Sequence, residues 1–274
     1  MKLITILDDK PSEHLGLAHE HGLSFFVEQN GHRVLFDFGS GIHTLENMRR
    51  LNIAPDSVEY AVGSHGHYDH AGGYPFLEEA GMHCPLVTGE GYFLEKYAGE
   101  GSRYTYLGTG FDADLLQRKG IRHRVCSSEI KLNASMTVMT AFERRWDFET
   151  IPERFVLRTE NGMVPDRFAD ELCLIVQLRD GLMVIVGCSH PGILNILTAV
   201  QQRCGQPIRI VAGGTHLMEA DDSRIRETLE TMKRFGTRII GFNHCSGSRI
   251  REIVREFPEL NAEYLGAGDC LIED

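Results

Sequence analysis

The sequence predicts an α/β protein built from two similar β-sheet halves, and three observations lead there. Strand and helix patterns alternate from end to end, with no low-complexity linker or charge block between them. Two strand pairs carry Asn30-Gly31 and Asp180-Gly181, dipeptides of the kind that closes two-residue hairpins. The order hairpin, helix, then a strand ending in small residues and a histidine occurs twice, from LFDFGSGIHTLENM to His65 and from VIVGCSHPGILNIL to His216. Aligning Gly41-Ile42 with Gly192-Ile193 sets Asp37 opposite Cys188 and His65 near His216. Two halves of this kind put a site at the strand ends where they meet.

In chain order, MKLITILDDK goes straight into a strand pattern followed by acids. Ser24 to Gln29 and Arg33 to Asp37 form the first predicted hairpin, and the apolar run VEYAV precedes the first histidine cluster. A helix is expected from about Gly73. Leu172 to Leu178 and Leu182 to Gly187 form the second hairpin. Ile193, Ile196, Leu197 and Val200, and later Ile225, Leu229, Met232 and Phe235, recur at helical spacing. The stretch near 105–168 matches neither period and is expected to be an irregular insertion over the site. The whole of 1–274 is read as one domain, long but within the range of a large α/β unit.

Hydrophobic residues make up 42% and charged residues 24% of the chain, enough apolar content for a sizeable core. Lys plus Arg total 28 against 39 Asp plus Glu, a formal net charge of -11. Such a surface repels polyanions at long range, which argues against nucleic acid as a partner but leaves room for a small anionic substrate at a local positive centre. No apolar run has membrane-spanning length, and the N-terminus lacks a signal peptide's layout, so no membrane partner and a cytoplasmic location are expected. The seven cysteines are all single, with no C-x-x-C pair, and suggest neither a disulfide framework nor a zinc ribbon. Oligomeric state is not encoded in any pattern found.

Ser64-His65-Gly66-His67-Tyr68-Asp69-His70 carries the strongest chemical signal. Three imidazoles and a carboxylate within six residues are costly to bury without a partner, and they are the usual ligands of zinc and similar ions. Gly66 and Ala71-Gly72-Gly73 keep the backbone compact, so alternating side chains can reach two closely spaced ions. A polar surface turn is the ordinary alternative; the strand–turn–helix context argues against it.

H-x-H-x-D-H after a strand resembles the signature of the metallo-β-lactamase superfamily. EHGLS (from Glu20), SHGHYDHAGG (from Ser64), GCSHPGI (from Gly187), GGTHL (from Gly213) and NHCSG (from Asn243) extend the likeness over nearly the whole chain. Together they resemble the subgroup containing the archaeal dihydropterin ribofuranosyl-aminobenzene phosphate synthase. The resemblance implies an αββα four-layer sandwich, two mixed sheets flanked by helices. It also implies two divalent metal ions, zinc first and manganese or iron as alternatives. His65, His67 and His190 would hold one ion; Asp69, His70 and His244 would hold the other, with Asp69 also a catalytic carboxylate.

The chain departs from the common superfamily pattern in two places. Cys188 stands where many members have a bridging aspartate, and MTAFERRWDF has no histidine where many have one. The centre then lacks a bridge, uses the Cys188 thiolate, or holds the first ion through His190. Because free cysteine is mostly core, Cys188 is read as a buried small residue. His123, in IRHRV, reads as part of an ordinary strand.

The duplication puts His216 at the mouth of the site, for acid–base work or substrate binding, or as a structural histidine. Asp37, Asp170, Glu171 and His21 are expected to orient ligands. Arg145, ahead of its neighbour Arg144, is expected to bind an anionic substrate group, with Trp146 available for stacking. The leading expectation is a hydrolase acting on a small anionic ester through a dinuclear-metal-activated hydroxide. A synthase of the pterin type and a metal-containing sensor without turnover are the competing expectations; substrate transfer products or tight ligand retention would distinguish them.

Overall fold

The computed structural model describes residues 1–273. Its first seven-stranded sheet runs, edge to edge, Cys270–Ile272, Lys2–Leu7, Ser24–Gln29, His32–Phe36, Tyr60–Val62, Leu86–Gly89 and His123–Cys126. The second runs Asn261–Tyr264, Ile239–Phe242, Ile208–Gly213, Gly181–Val186, Cys173–Leu178, Met136–Met139 and Glu129–Lys131. Each sheet has a parallel half and an antiparallel half. In each, a hairpin feeds a helix (His43–Arg50 or Ile193–Cys204) and then a parallel strand, the repeated plan that the sequence suggested.

The αββα layering follows from side-chain alternation. In the strand Gly181–Val186, Met183 and Ile185 join the core between the sheets, with Phe25, Val27, Val34 and Phe36 from the first sheet. Leu182, Val184 and Val186 point the other way, against Ile193, Leu197, Ile225 and Leu229 of the helices Ile193–Cys204 and Asp222–Arg234. On the far side, Phe26 and Leu35 meet Leu45, Met48, Tyr74 and Leu77 of the helices His43–Arg50 and Tyr74–Glu79. Three apolar layers between four structural layers require the central strands to be buried on both faces, and they are.

Three local expectations shift. In the first hairpin, Asn30 (φ 53°) and Gly31 (φ 81°) form the loop as predicted. In the second, Leu178 pairs with Gly181, so the two loop residues are Arg179 and Asp180. Gly181 starts the strand instead, where a Cβ would lie 2.4 Å from the Pro207 carbonyl oxygen. The helix expected near Gly73 is preceded by a separate turn, Tyr68–Ala71. The stretch near 105–168 is more regular than its sequence suggests. It gives one edge strand to the first sheet and two strands to the second, and it completes a small antiparallel sheet ordered Gly162–Pro165, Phe155–Thr159, Lys96–Glu100, Arg103–Tyr106. These strands are short and partly exposed, which leaves little apolar period to read. Among the described residues, no helix is long and apolar enough to cross a membrane.

Candidate metal centre

Parallel strands deliver their C-terminal ends to one edge, and the candidate residues collect there. His190 follows the strand Gly181–Val186, His216 follows Ile208–Gly213, and His244 follows Ile239–Phe242, three parallel neighbours. Asp37 and His65 follow His32–Phe36 and Tyr60–Val62, which are parallel in the other sheet. Asp69 and His70 sit on the single helical turn Tyr68–Ala71, and His67 is the residue just before it. Asp37, Ser189, His216 and His244 all adopt positive φ (59°, 61°, 50° and 45°). Each such residue costs of order 1 kcal/mol, so four at one edge mark a place where the fold holds strain. Gly66 is required locally, because a Cβ there would lie 2.0 Å from the Tyr92 carbonyl oxygen.

The hydrogen bonds leave bare ring nitrogens pointing inward. His70 Nδ1 donates to Asp37 Oδ2 at 2.6 Å, and His244 Nδ1 donates to Asp9 Oδ1 at 2.6 Å. A carboxylate only accepts, so Nδ1 carries a proton in each ring, and in the neutral form Nε2 is the atom left to bind a cation. Those two Nε2 atoms face each other at 3.3 Å, with Asp69 Oδ2 at 3.2 Å from His244 and 3.7 Å from His70. Lone pairs and a carboxylate crowded together repel unless a cation lies between them. His65 Nδ1 hydrogen-bonds Ser64 Oγ at 2.9 Å, and that hydroxyl donates to Asp37 Oδ2 at 2.8 Å. Its Nε2 is buried without a hydrogen-bond partner among the described residues, as are both ring nitrogens of His190. One ring nitrogen from each of His65, His67 and His190 lies within 4.8 Å of the others.

Electrostatics favour the same use. Burial holds His65 and His190 well below the usual imidazole range and His67 down at about 3, so all three are neutral, the form that binds a metal. Burial acts to raise Asp69, but His70, His21 and His244 outweigh it and keep that carboxyl well below the usual range. Burial also opposes charge on His244; Asp69 and Asp9 overcome it and push its pKa well up, which reports a negative potential suited to a cation. The donor set therefore fits divalent metal binding, with His65, His67 and His190 forming one group of donors and Asp69, His70 and His244 another.

The expected supporting residues lie around this set. Asp37 orients His70 and also accepts the Ser64 amide at 2.7 Å. Glu171 accepts the amides of Ser189 and His190, and Asp170 accepts that of Gly66 at 2.8 Å. His21 bridges Asp9 (3.1 Å) and Asp69 (3.2 Å), and these two carboxylates raise its pKa to about 9. His216 lies beside His190, with ring centroids 4.5 Å apart and both nitrogens unpaired among the described residues. His123 bonds Thr88 within its sheet, as an ordinary strand residue. Asp37→Ala removes the acceptor that fixes His70, and metal affinity is expected to fall about 10- to 100-fold, measurable by competition with a chelating dye.

Three placements differ from expectation. Cys188 is buried, but its Sγ lies 3.2 Å from His70 Nε2, inside the constellation instead of in the apolar core. The Arg145 guanidinium is half exposed and paired with Glu143 at 2.7 Å, so it is not directed at the histidines; Arg144 and Arg167 instead line a cavity of about 350 Å³ that shares Phe168 and Pro191 with the site's wall. Trp146 donates to Thr198 and packs on the helix side. Asp8 and Asp9 were missed, although paired acids directly after the first apolar strand were a usable signal; Asp8 accepts the His244 amide at 2.8 Å.

Comparison with known proteins identifies the family and the fold. A sequence profile of the metallo-beta-lactamase superfamily matches residues 19–198. The 7,8-dihydropterin-6-methyl-4-(beta-D-ribofuranosyl)-aminobenzene-5'-phosphate synthase of Methanocaldococcus jannaschii is 31% identical over 99% of this chain and 96% of its own length. An uncharacterised protein of the same archaeon is 29% identical over 83% of this chain and 84% of its own. The crystal structure of a metal-dependent hydrolase of the beta-lactamase superfamily superposes with a TM-score of 0.86 at 28% identity, covering 100% of this chain and 99% of that one.

Proposed function

Because this chain belongs to the metallo-β-lactamase superfamily, we propose that it is a metal-dependent hydrolase of small anionic esters, with two divalent cations, zinc first, held by the two histidine-rich triads. The observation that carries the proposal is the 3.3 Å approach of the His70 and His244 Nε2 atoms beside the Asp69 carboxylate, each ring fixed from behind by a carboxylate. Bound there, the cations lower the pKa of water toward neutrality and offset the negative charge that builds on the attacked centre.

The chain's own groups do the rest. Asp69 stays ionised and, as the catalytic carboxylate, holds negative charge beside the reacting centre. Phe168 packs edge-on and Phe155 tilted against His67, with ring centroids at 5.3 and 5.6 Å, and they keep bulk water from that side. His216, half-buried and with no hydrogen-bond partner among the described residues, passes a proton to the leaving group. Arg144 and Arg167 are better disposed than Arg145 to meet an anionic end of the substrate. His216→Ala is expected to lower turnover about 100-fold with metal content unchanged. A simultaneous loss of metal would reassign His216 to the metal centre.

A second reading, a synthase joining a pterin alcohol to an aromatic ribosyl phosphate, is supported by the near full-length likeness to the named archaeal enzyme. The deciding experiment incubates metal-loaded protein with a panel of phosphate esters and lactones, and separately with the synthase's two kinds of substrate, and identifies products by mass. Hydrolysis abolished by a chelator and restored by zinc supports the hydrolase. Condensation product with no ester hydrolysis overturns it in favour of the synthase.

A further inference from the structure

We propose that the cavity lined by Arg144 and Arg167 holds a non-reacting oxyanion of the substrate, a phosphate or carboxylate on a ring-sized stem, and that Phe168, which divides this cavity from the metal centre, determines specificity. The inference rests on the hydrolase reading above and names the kind of ester it takes. The cavity measures about 350 Å³, at the small end of ligand pockets, which run from roughly 300 to 1,000 Å³. Two guanidinium groups line it against one carboxylate, that of Glu90. Neither arginine forms an ion pair among the described residues: Arg144 donates to the backbone carbonyl of Glu149 at 2.7 Å, whereas its neighbour Arg145 is taken up by Glu143. Arg203 donates to the carbonyl oxygens of Thr140 (2.6 Å) and Ala141, both lining residues, and adds positive charge behind the wall. Three cations collect here in a chain of net charge -11. A guanidinium is a planar fork of donors that fits phosphate or carboxylate oxygens.

Phe168 belongs to both compartments. Its ring stacks on His190, with centroids 3.8 Å apart and planes 14° from parallel, and stands edge-on to His67 at 5.3 Å. The same residue lines the cavity, beside Phe142 and Pro191, which supply apolar wall for the stem. The fold holds it firmly. Phe168 and Ala141, both lining residues, have positive φ (51° and 61°), a conformation that disfavours any residue with a Cβ. The Phe168 amide donates to Asp166 Oδ1 at 2.7 Å, and the Lys96 ammonium lies 4.9 Å from the ring's centroid. A ring fixed at this wall sets the length of stem that can join an anion in the cavity to a reacting centre at the metals.

Calorimetric titration with phenylphosphonate and benzoate tests the pocket without requiring turnover. The metal-loaded full chain is compared as wild type, Arg144→Met, Arg167→Met, Phe168→Ala, Phe168→Leu and the double variant Asp69→Ala with His70→Ala, each checked for folding by circular dichroism. The wild type is expected to bind phenylphosphonate, and each arginine variant to bind it about tenfold more weakly or worse. The double variant, changed only at the metal centre, should stay within about twofold of wild type. Biphenylphosphonate, with its longer stem, should gain about tenfold in Phe168→Ala over wild type and less in Phe168→Leu. Benzoate bound more tightly than the phosphonate, with the same dependence on the arginines, supports the pocket and makes a carboxylate its ligand. Binding lost in the double variant but unchanged in the arginine variants puts the anion on the metals and overturns the pocket, leaving the hydrolase reading intact. No binding of either anion by the folded wild type also overturns it. Equal affinity of wild type and Phe168→Ala for biphenylphosphonate overturns the role of Phe168. Arginine-dependent binding in a protein that hydrolyses no ester supports the pocket and overturns the hydrolase reading, so the two fail separately.

Discussion

Replacing Asp69 and His70 together by alanine is expected to lower bound metal from about two equivalents to about one and turnover by about 1,000-fold or more. The two side chains supply two of the three donors of one triad, so only His244 remains there, and one imidazole does not retain a divalent ion against buffer. The other triad keeps His65, His67 and His190 and should stay loaded. A cation that activates water and offsets developing charge is worth several kcal/mol, and each 1.36 kcal/mol is tenfold in rate. Elemental analysis of wild type and variant, purified side by side without added metal, is the measurement. One equivalent or less in both proteins would sink the two-cation reading and leave a mononuclear site or a sensor.

Lys96→Ala is expected to be among the most destabilising single changes, costing about 3–5 kcal/mol. The Lys96 side chain is only 2% exposed, and its Nζ donates to Asp166 at 2.7 Å and Asp170 at 3.0 Å, both equally buried. Burial opposes its charge, and the two carboxylates overcome that and raise its pKa. Removing the ammonium leaves two carboxylates confined in a low-dielectric interior with no counter-charge. The damage should reach the metal centre, because Asp170 also holds the Gly66 amide between His65 and His67. Urea denaturation would read the effect as a lower midpoint at unchanged slope. Lys96→Met with Asp166→Leu, which removes the ammonium and one of its two carboxylates, should recover part of the loss. A shift below about 1 kcal/mol for Lys96→Ala would mean that water or proton uptake already compensates these carboxylates.

Neither Lys96 nor Asp166 could be read from the sequence, and Asp170 was legible only as a residue that orients ligands. Lys96 lies in LEKYAGEGSRYTY, where charges and small residues alternate as on an exposed hairpin, and only the folding of the small four-stranded sheet against Phe168 buries it. Arg145 pairs as it does for a related reason: a guanidinium finds its partner among whatever carboxylates the loop brings close, here Glu143, two residues away. Asp8 and Asp9 reach His244 across 235 residues or more, a pairing that no local spacing announces.

What the sequence determined by itself was local. Strand period, hairpin dipeptides and helix period depend on neighbours a few residues apart, and they specified the two sheets, the flanking helices Ile193–Cys204 and Asp222–Arg234, and the turn that carries His65, His67, Asp69 and His70. The repeat of hairpin, helix and strand even set Asp37 opposite Cys188. Only the tertiary structure decided which strand ends share an edge, and hence that His190, His244, His216 and Cys188 converge on that turn. A cysteine at a strand end reads the same whether its sulfur meets leucines or imidazoles. The stacking of two sheets turned this one toward His70, because the apolar faces of Met183 and Ile185 had to close against the first sheet and carried the strand's end over the histidines.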